Sequence, residues 1–202
     1  MTTENRWDKL RRMDEEEILS VFRKTGVLLE GHFRLTSGKH SPRFLQCAQV
    51  LRYPDYAGQL TGLMAEPFKD VEIDKVVGPA LGGIILSYEV ARWLDKEAIF
   101  TERQDGEMKL RRGFTVEPGE KVLVVEDAVS TGGSVNSVME ICSQRQADIV
   151  GVSVLVDRSG GRAEFGVPFE AVVSLDIPAY SPAECPLCRE GIPLVHPKDL
   201  GM

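Results

Sequence analysis

The segment Lys121-Val-Leu-Val-Val-Glu-Asp-Ala-Val-Ser-Thr-Gly-Gly-Ser-Val135 constrains the chain more than any other. Lys121 to Val125 is a short, valine-rich apolar run of the kind that forms a buried strand of a parallel sheet. It runs straight into two acids, Glu126 and Asp127, then through Ala128 and Val129 into the small, flexible turn Ser130-Thr131-Gly132-Gly133-Ser134. The spacing predicts a helix from about Ser134 to Gln144. Strand, turn and helix N-terminus then converge with backbone N–H groups and hydroxyls on one point, which suits a dianionic phosphate. The two acids stand just ahead of it, where the hydroxyls of a sugar carrying that phosphate would lie. Read from its residues, the segment is a cradle for a ribose 5-phosphate.

The other phosphate-loop patterns are missing: no G-x-x-x-x-G-K-[ST] occurs, and no strand leads into G-x-G-x-x-G. The stretch Val124 to Ser134 resembles, without a break, the signature of the type I phosphoribosyltransferases: apolar strand, two acids, two small apolar residues, Ser/Thr/Gly loop. Thr36-Ser37-Gly38-Lys39-His40-Ser41-Pro42-Arg43-Phe44 looks like the segment SG-x-x-SP-x-[FY] of the orotate phosphoribosyltransferases within that family.

Composition narrows the class further. A chain of 202 residues fits one domain, and its ordinary apolar content can fill a core. A formal net charge of −7 argues against binding nucleic acid by phosphate neutralisation. It does not exclude a phosphorylated substrate, because local dipoles and a few basic side chains set the field in a site. Glu4, Arg6, Asp8 and Lys9 leave no apolar core for a secretory signal, and no apolar run is long enough to span a bilayer. A cytoplasmic location is expected, with Cys47, Cys142, Cys185 and Cys188 as reduced thiols.

Along the chain, residues Met1 to Met13 are polar and expected to be frayed or loosely docked. Asp14 reads as the N-cap of a helix, with Glu17 completing a capping box and Gly26 stopping it. Val27 to Leu29 and His32 to Leu35 predict a hairpin around Glu30-Gly31, with His32 at a strand edge. Lys39 and His40 read as a solvated loop. Pro54 starts a helix with Ala57, Leu60, Leu63, Met64 and Phe68 on one face. Ile73 to Val77 is a buried strand ending in Gly78-Pro79-Ala80-Leu81-Gly82-Gly83, with a helix from Ile84 to Leu94. A short strand, Ala98 to Thr101, precedes Glu102 to Gly113, where periodicity fails and a mobile loop or long hairpin is expected. Ile149 to Val156 and Ala171 to Leu175 are further strands. Strands alternating with helices predict an α/β fold with a mainly parallel open sheet and flanking helices. The tail from Ile177 carries Cys185-Pro-Leu-Cys188. That pair supplies two thiolates with no partner pair or suitably spaced histidines following, so simple packing of the tail is expected.

The resemblance covers roughly Gly26 to Leu175 and implies a single phosphoribosyltransferase domain over residues 1–202. About 14–50 would form a hood over the base, and 177–202 a C-terminal tail. It implies Mg²⁺-dependent transfer of phosphoribosyl from phosphoribosyl pyrophosphate to orotate, as in pyrimidine biosynthesis. Glu126 and Asp127, with Arg103 and Lys109, would carry catalysis. Ala128 to Ser134, Leu81, Gly82 and the basic loop residues Arg103, Lys109 and Arg111 would hold phosphoribosyl pyrophosphate. Ser130, Arg158, Phe44 and Ser37 would face orotate. Phe44 reads equally as a core aromatic, and the loop charges as a solvated run. Thr36 stands where the family often has a lysine, and the loop lacks the usual Arg-Lys pair, further Lys and His. The metal is expected on substrate oxygens and water, with no protein metal site. The resemblance further implies a homodimer with the 102–113 loop shared between subunits. A phosphoribosyltransferase for another base, or a nucleic-acid-binding regulator that senses phosphoribosyl pyrophosphate, remain the alternatives.

Overall fold

The computed structural model describes residues 6–35 and 37–200, so Thr36 and both extreme ends lie outside the described residues. The first helix, α1 (Glu15–Thr25), begins at the capping box read from the sequence. Asp14 accepts from the Glu17 N–H, and the Glu17 carboxylate accepts from the Asp14 N–H. Gly26, with φ +78°, closes it in the left-handed conformation that a side chain would resist. Ahead of this helix the segment from Arg6 is docked, with the Trp7 ring centroid 5.2 Å from that of Trp93.

Strands β1 (Leu28–Arg34) and β2 (His40–Leu45) form an antiparallel ribbon apart from the main sheet. The expected turn at Glu30-Gly31 is absent, and β1 runs through it. The register slips between Glu30 and Phe33, a bulge that buries the consecutive residues His32 and Phe33. The chain reverses instead between Leu35 and Lys39, where the Leu35 N–H donates to the Lys39 carbonyl at 2.8 Å. His40 accordingly belongs to a strand and is buried, not part of a solvated loop, and His32 is 2% exposed.

Two helices follow, α2 (Ala48–Leu51) and α3 (Pro54–Ala65), the second with its proline in the first turn. The main sheet is then built in the sequence β3 (Lys75–Pro79), α4 (Gly82–Leu94), β4 (Glu97–Gln104), β5 (Glu107–Leu110), β6 (Lys121–Val129), α5 (Gly133–Gln144), β7 (Asp148–Asp157) and β8 (Phe169–Ser174). Its spatial order is β5-β4-β3-β6-β7-β8, parallel throughout except for the edge strand β5. The segment 102–113 is therefore the hairpin alternative: β4 and β5 join through Asp105-Gly106, both at positive φ (53° and 86°). That pair is the turn chemistry a two-residue hairpin demands.

Side-chain alternation along β6 assigns the two faces of the sheet. Leu123 and Val125 join the core that contains Leu60 and Met64 of α3 and Leu86 of α4. Val122 and Val124 join the other core, with Val135 and Val138 of α5. After β8 the tail returns to the hood ribbon and pairs with it twice, Tyr180 with His40 and Val195 with Phe33. Between these bridges lies the short helix α6 (Pro186–Arg189). Among the described residues, no helix is long and apolar enough to cross a membrane.

Candidate active site

The chain leaves β3 through α4 toward β4 on one side, and leaves β6 through α5 toward β7 on the other. Neighbouring strands whose connections diverge open a crevice at their carboxyl ends, the place where ligands settle in open α/β sheets. Two glycine-bearing turns, 78–83 after β3 and 130–134 after β6, meet at this crevice.

The acid pair lies inside β6 itself, which extends four residues further than its apolar run. Adjacent residues of a strand project to opposite faces. Glu126 lines a cavity of about 240 Å³ together with Ala128, Val129, Ser130, Thr131, Gly132, Gly133, Ser134 and Arg103. Asp127 turns to the α4 face, so close to the β3–α4 turn that a Cβ on Gly82 would stand 2.4 Å from its Oδ2. The acids thus straddle the end of one strand, one toward each glycine turn. Burial, reinforced by the Asp127 charge beside it, pushes Glu126 from its ordinary 4.5 up to about 8. Burial raises Asp127 as well, opposed by hydrogen bonds from backbone N–H groups. An acid pair held this way takes hydrogen bonds from neighbouring backbone N–H groups but is short of positive charge, which a cationic ligand supplies.

The loop after the acids is shaped by Gly132, the N-cap of α5, at φ +76°. A Cβ there would meet the Phe165 ring edge at 2.9 Å, so both conformation and space require glycine. The N–H groups that open α5 consequently face the cavity without a side-chain cap. At the other turn, Leu81 is 83% exposed and lines neither cavity.

Arg158 follows β7, pinned by its backbone N–H donating to the Val129 carbonyl at 2.7 Å. The turn is stiffened on either side. Asp157 Oδ1 accepts from the Ser159 N–H, and Ser159 Oγ accepts from the N–H groups of Arg162 and Ala163. The Arg158 Nε is buried and has no hydrogen-bond partner among the described residues. Arg158 is half-buried and lines neither cavity, but a guanidinium with a buried, unused donor can take an anionic acceptor. The buried Cys47, just before α2, senses the same charges. Burial raises its thiol first, Asp127 and Glu126 push the same way, and Arg158 opposes them.

The remaining residues named from the sequence divide. Arg103 reaches the cavity of its own chain, its Nη1 donating to the Gly106 carbonyl at 2.8 Å. Lys109 pairs with Glu107 at 3.1 Å and lines a larger cavity, about 580 Å³, between the hairpin and α5. Arg111 lies 3.9 Å from Glu102, and Arg112 binds the same carboxylate at 2.8 and 3.0 Å. The larger cavity shares only Arg103 with the smaller and holds neither acid of the pair, so the chemistry is assigned to the smaller. Phe44 packs on Phe33 within the hood, ring centroids 5.9 Å apart, and Ser37 is exposed at the hood turn. Neither lines either cavity. Gly82's approach to Asp127 and Cys47's place beside Arg158 had no local signal in the sequence, since each joins segments far apart in the chain.

The geometry agrees with known proteins. The model of the phosphoribosyl transferase domain matches residues 47–166. The orotate phosphoribosyltransferase of Caldicellulosiruptor saccharolyticus is 55% identical over 185 residues, 92% of this chain and 97% of that protein. That of Thermotoga maritima is 51% identical over 92% of this chain and 99% of its own length. The crystal structure of orotate phosphoribosyltransferase from Aeropyrum pernix superposes with a TM-score of 0.65 at 25% identity, covering 78% of this chain and 93% of that one. With its acid pair, its glycine turns and these relatives spanning nearly its whole length, the chain belongs to the phosphoribosyl transferase domain family, among the orotate phosphoribosyltransferases.

Proposed function

We propose that this crevice transfers phosphoribosyl from 5-phosphoribosyl 1-pyrophosphate to orotate, yielding orotidine 5′-monophosphate and pyrophosphate. The observation that carries the reading is the junction at the end of β6. An acid pair deprived of counter-charge adjoins an uncapped helix N-terminus, with Arg158, whose buried Nε has no partner among the described residues, following the next strand. The backbone of Ala128 to Ser134 holds the 5′-phosphate. Glu126 and Asp127 accept from the ribose hydroxyls and stabilise the positive charge that grows on the sugar as pyrophosphate leaves. Leu81 and Gly82 offer backbone N–H groups to the pyrophosphate, and Arg103 adds a cation. Arg158 pairs with the orotate carboxylate, Ser130 contacts the base, and Ser37 and Phe44 shape the hood above it. Little covalent help is needed: the protein positions both reactants and meets developing charge with fixed groups.

The family implies Mg²⁺. The cavity lined by Glu126 presents carboxylate and hydroxyl oxygens and neither thiol nor imidazole among its lining residues, a hard donor set that fits this ion, while Asp127 stands on the other face of the same strand end. Glu126 and Asp127 are the protein oxygens at hand, and substrate oxygens and water would complete the shell. A metal held there would supply positive charge against the pyrophosphate, beside the Arg103 cation.

We further propose a cytoplasmic homodimer in which the 102–113 hairpin serves the partner's site. Lys109 and Arg111 do not line the acid-pair cavity of their own chain. Leu81, Ile85 and Tyr88 form an exposed apolar stripe beginning at the β3–α4 turn, a face suited to a second copy. The test of the function is base-dependent release of pyrophosphate, offering orotate, uracil, adenine and hypoxanthine in turn. Release with orotate alone is expected. Release with a purine and not with orotate would refute the reading, and release with none would point to a sensor instead of an enzyme.

A further inference from the structure

Outside the crevice, one cluster of metal-binding side chains stands apart among the described residues: His32 on β1, His40 opening β2, Cys185 before α6 and Cys188 within it. Their ligand atoms all lie within 4.8 Å of one another. The tail expected from sequence to pack on its own therefore meets two histidines, which precede the cysteines by roughly the length of the domain. We propose that these four residues form a tetrahedral Zn²⁺ site that clamps the C-terminal tail to the hood. The proposal does not rest on the enzymatic reading.

Distances separate a metal site from a chance contact. Zinc binds thiolate at about 2.3 Å and imidazole nitrogen at about 2.0–2.1 Å. A regular tetrahedron of such bonds has N···N edges of about 3.4 Å and N···S edges of about 3.6 Å. His32 Nε2 and His40 Nδ1 are 3.0 Å apart. Cys185 Sγ lies 3.5 Å from His32 Nε2, and Cys188 Sγ lies 3.7 Å from His32 Nε2 and 3.3 Å from His40 Nδ1. Four of the six edges thus lie within about 0.4 Å of those of a zinc coordination shell, and the other two are below 4.8 Å.

Protonation leads the same way. His32 Nδ1 is 2.8 Å from the Ile192 carbonyl oxygen, which can only accept, so Nδ1 carries the hydrogen. In the neutral ring Nε2 is then a bare lone pair, and it faces three of these ligand atoms at once. One lone pair cannot accept three hydrogen bonds, whereas a cation at the centre of the cluster uses it together with the other ligands. The His32–carbonyl contact is also the outer-shell bond that orients a metal-binding imidazole. Two sulfurs and two nitrogens in tetrahedral array favour Zn²⁺ over the oxygen-seeking ions. Four protein ligands leave no open position, so the site is structural and not catalytic.

The placement gives the clamp a purpose. His32 and His40 bracket the hood turn that carries Ser37, and Cys185 and Cys188 lie between the two bridges by which the tail joins the ribbon. Metal binding would tie that turn to a segment that otherwise holds on mainly through short backbone bridges.

The test uses the full-length protein without a histidine tag, purified under a thiol-free reductant and analysed for bound metal. About one zinc per chain is expected. His196→Gln, which removes the third histidine of the chain, should keep it. Cys188→Ser, at the exposed member of the cluster, should lose at least nine-tenths of it. Wild-type protein stripped of metal and titrated with Co²⁺ should develop thiolate-to-cobalt charge transfer and the intense visible bands of tetrahedral cobalt, saturating at one equivalent. If Cys188→Ser fails to fold, the wild-type metal content and cobalt spectrum decide alone. Less than a tenth of a zinc per chain with no tetrahedral cobalt spectrum overturns the proposal, as does full zinc retention in folded Cys188→Ser.

Discussion

Replacing Gly132 with alanine is expected to expose how tightly the phosphate loop is specified. The residue stands at φ +76°, where a side chain costs about 1–2 kcal/mol. The new Cβ would also sit 2.9 Å from Phe165 Cε1 and 3.2 Å from Cζ, so the ring must withdraw by a few tenths of an ångström. Half-buried Phe165 has some freedom to do so, and the middle of that range plus about 0.5 kcal/mol for the ring, half of the low end of overpacking strain, gives a total near 2 kcal/mol. This energy can appear in two places. If the loop keeps its shape, stability falls by the whole amount, roughly 4–8 °C in Tm for a domain of this size. If the loop relaxes, the Tm changes less and phosphoribosyl pyrophosphate must restore the loop on binding, at up to about 30-fold in Kd. The sum of the two losses, from denaturant unfolding and titration calorimetry, is therefore the predicted quantity. Gly133→Ala is the internal control, because its nearest neighbour would be Thr131 Oγ1 at 3.8 Å and its φ is not left-handed. That variant should be neutral in stability, or gain up to about 1 kcal/mol as alanine replaces glycine in a helix. Equal behaviour of the two variants, or a Gly132→Ala protein unchanged in both measurements, would refute this account of the loop.

Further outcomes concern the acids and the hairpin. Asp127→Asn should fold normally and lose about a hundredfold in kcat, about 2.7 kcal/mol of barrier, measured beside a matched thermal melt; an unchanged kcat would remove Asp127 from the chemistry. Because Glu126 is raised from 4.5 to about 8, the folded protein holds a proton there that the unfolded chain has lost, and its contribution to stability declines as pH rises through that window. The Tm of Glu126→Gln relative to wild type should accordingly climb between pH 5 and 8.5, and a flat difference would mean the carboxylate is not strained by burial. Mixing Asp127→Asn with the double variant of Lys109 and Arg111 to alanine, leaving intact the Arg103 that lines its own chain's cavity, should restore about a quarter of wild-type activity after random subunit exchange. No recovery despite demonstrated exchange would place the hairpin in its own subunit's service.

Legibility in the sequence followed the distance between interacting residues. The β6 motif was readable because strand, acids, glycine turn and helix are contiguous, and α1 because Asp14, Glu17 and Gly26 are local start and stop signals. The mainly parallel sheet followed from alternation of strands and helices, whereas its strand order had no local signal. The hood ribbon was misplaced because the bulge at Glu30–Phe33 breaks the two-residue period and makes a polar Glu-Gly pair look like a turn. The hairpin of β4 and β5 offered an Asp-Gly turn signal that the surrounding charges obscured. Contacts such as Gly82 with Asp127, or His32 with Cys185, join residues brought together only by the finished topology, and periodicity carries no trace of them.

Recognition of orotate by the guanidinium that follows β7 can be measured in Arg158→Ala. The Arg158 Nε is buried and unpartnered, so a carboxylate arriving there gains charge-assisted hydrogen bonds without breaking others at that nitrogen. Steady-state kinetics with each substrate varied in turn should show KM for orotate raised about 10- to 100-fold, the loss of about 1.5–3 kcal/mol for hydrogen bonds to a charged group. KM for phosphoribosyl pyrophosphate should stay within about threefold of wild type, because its cradle is built from β6, α5 and the β3–α4 turn. Equal rises in both constants would contradict the account and make Arg158 a structural residue.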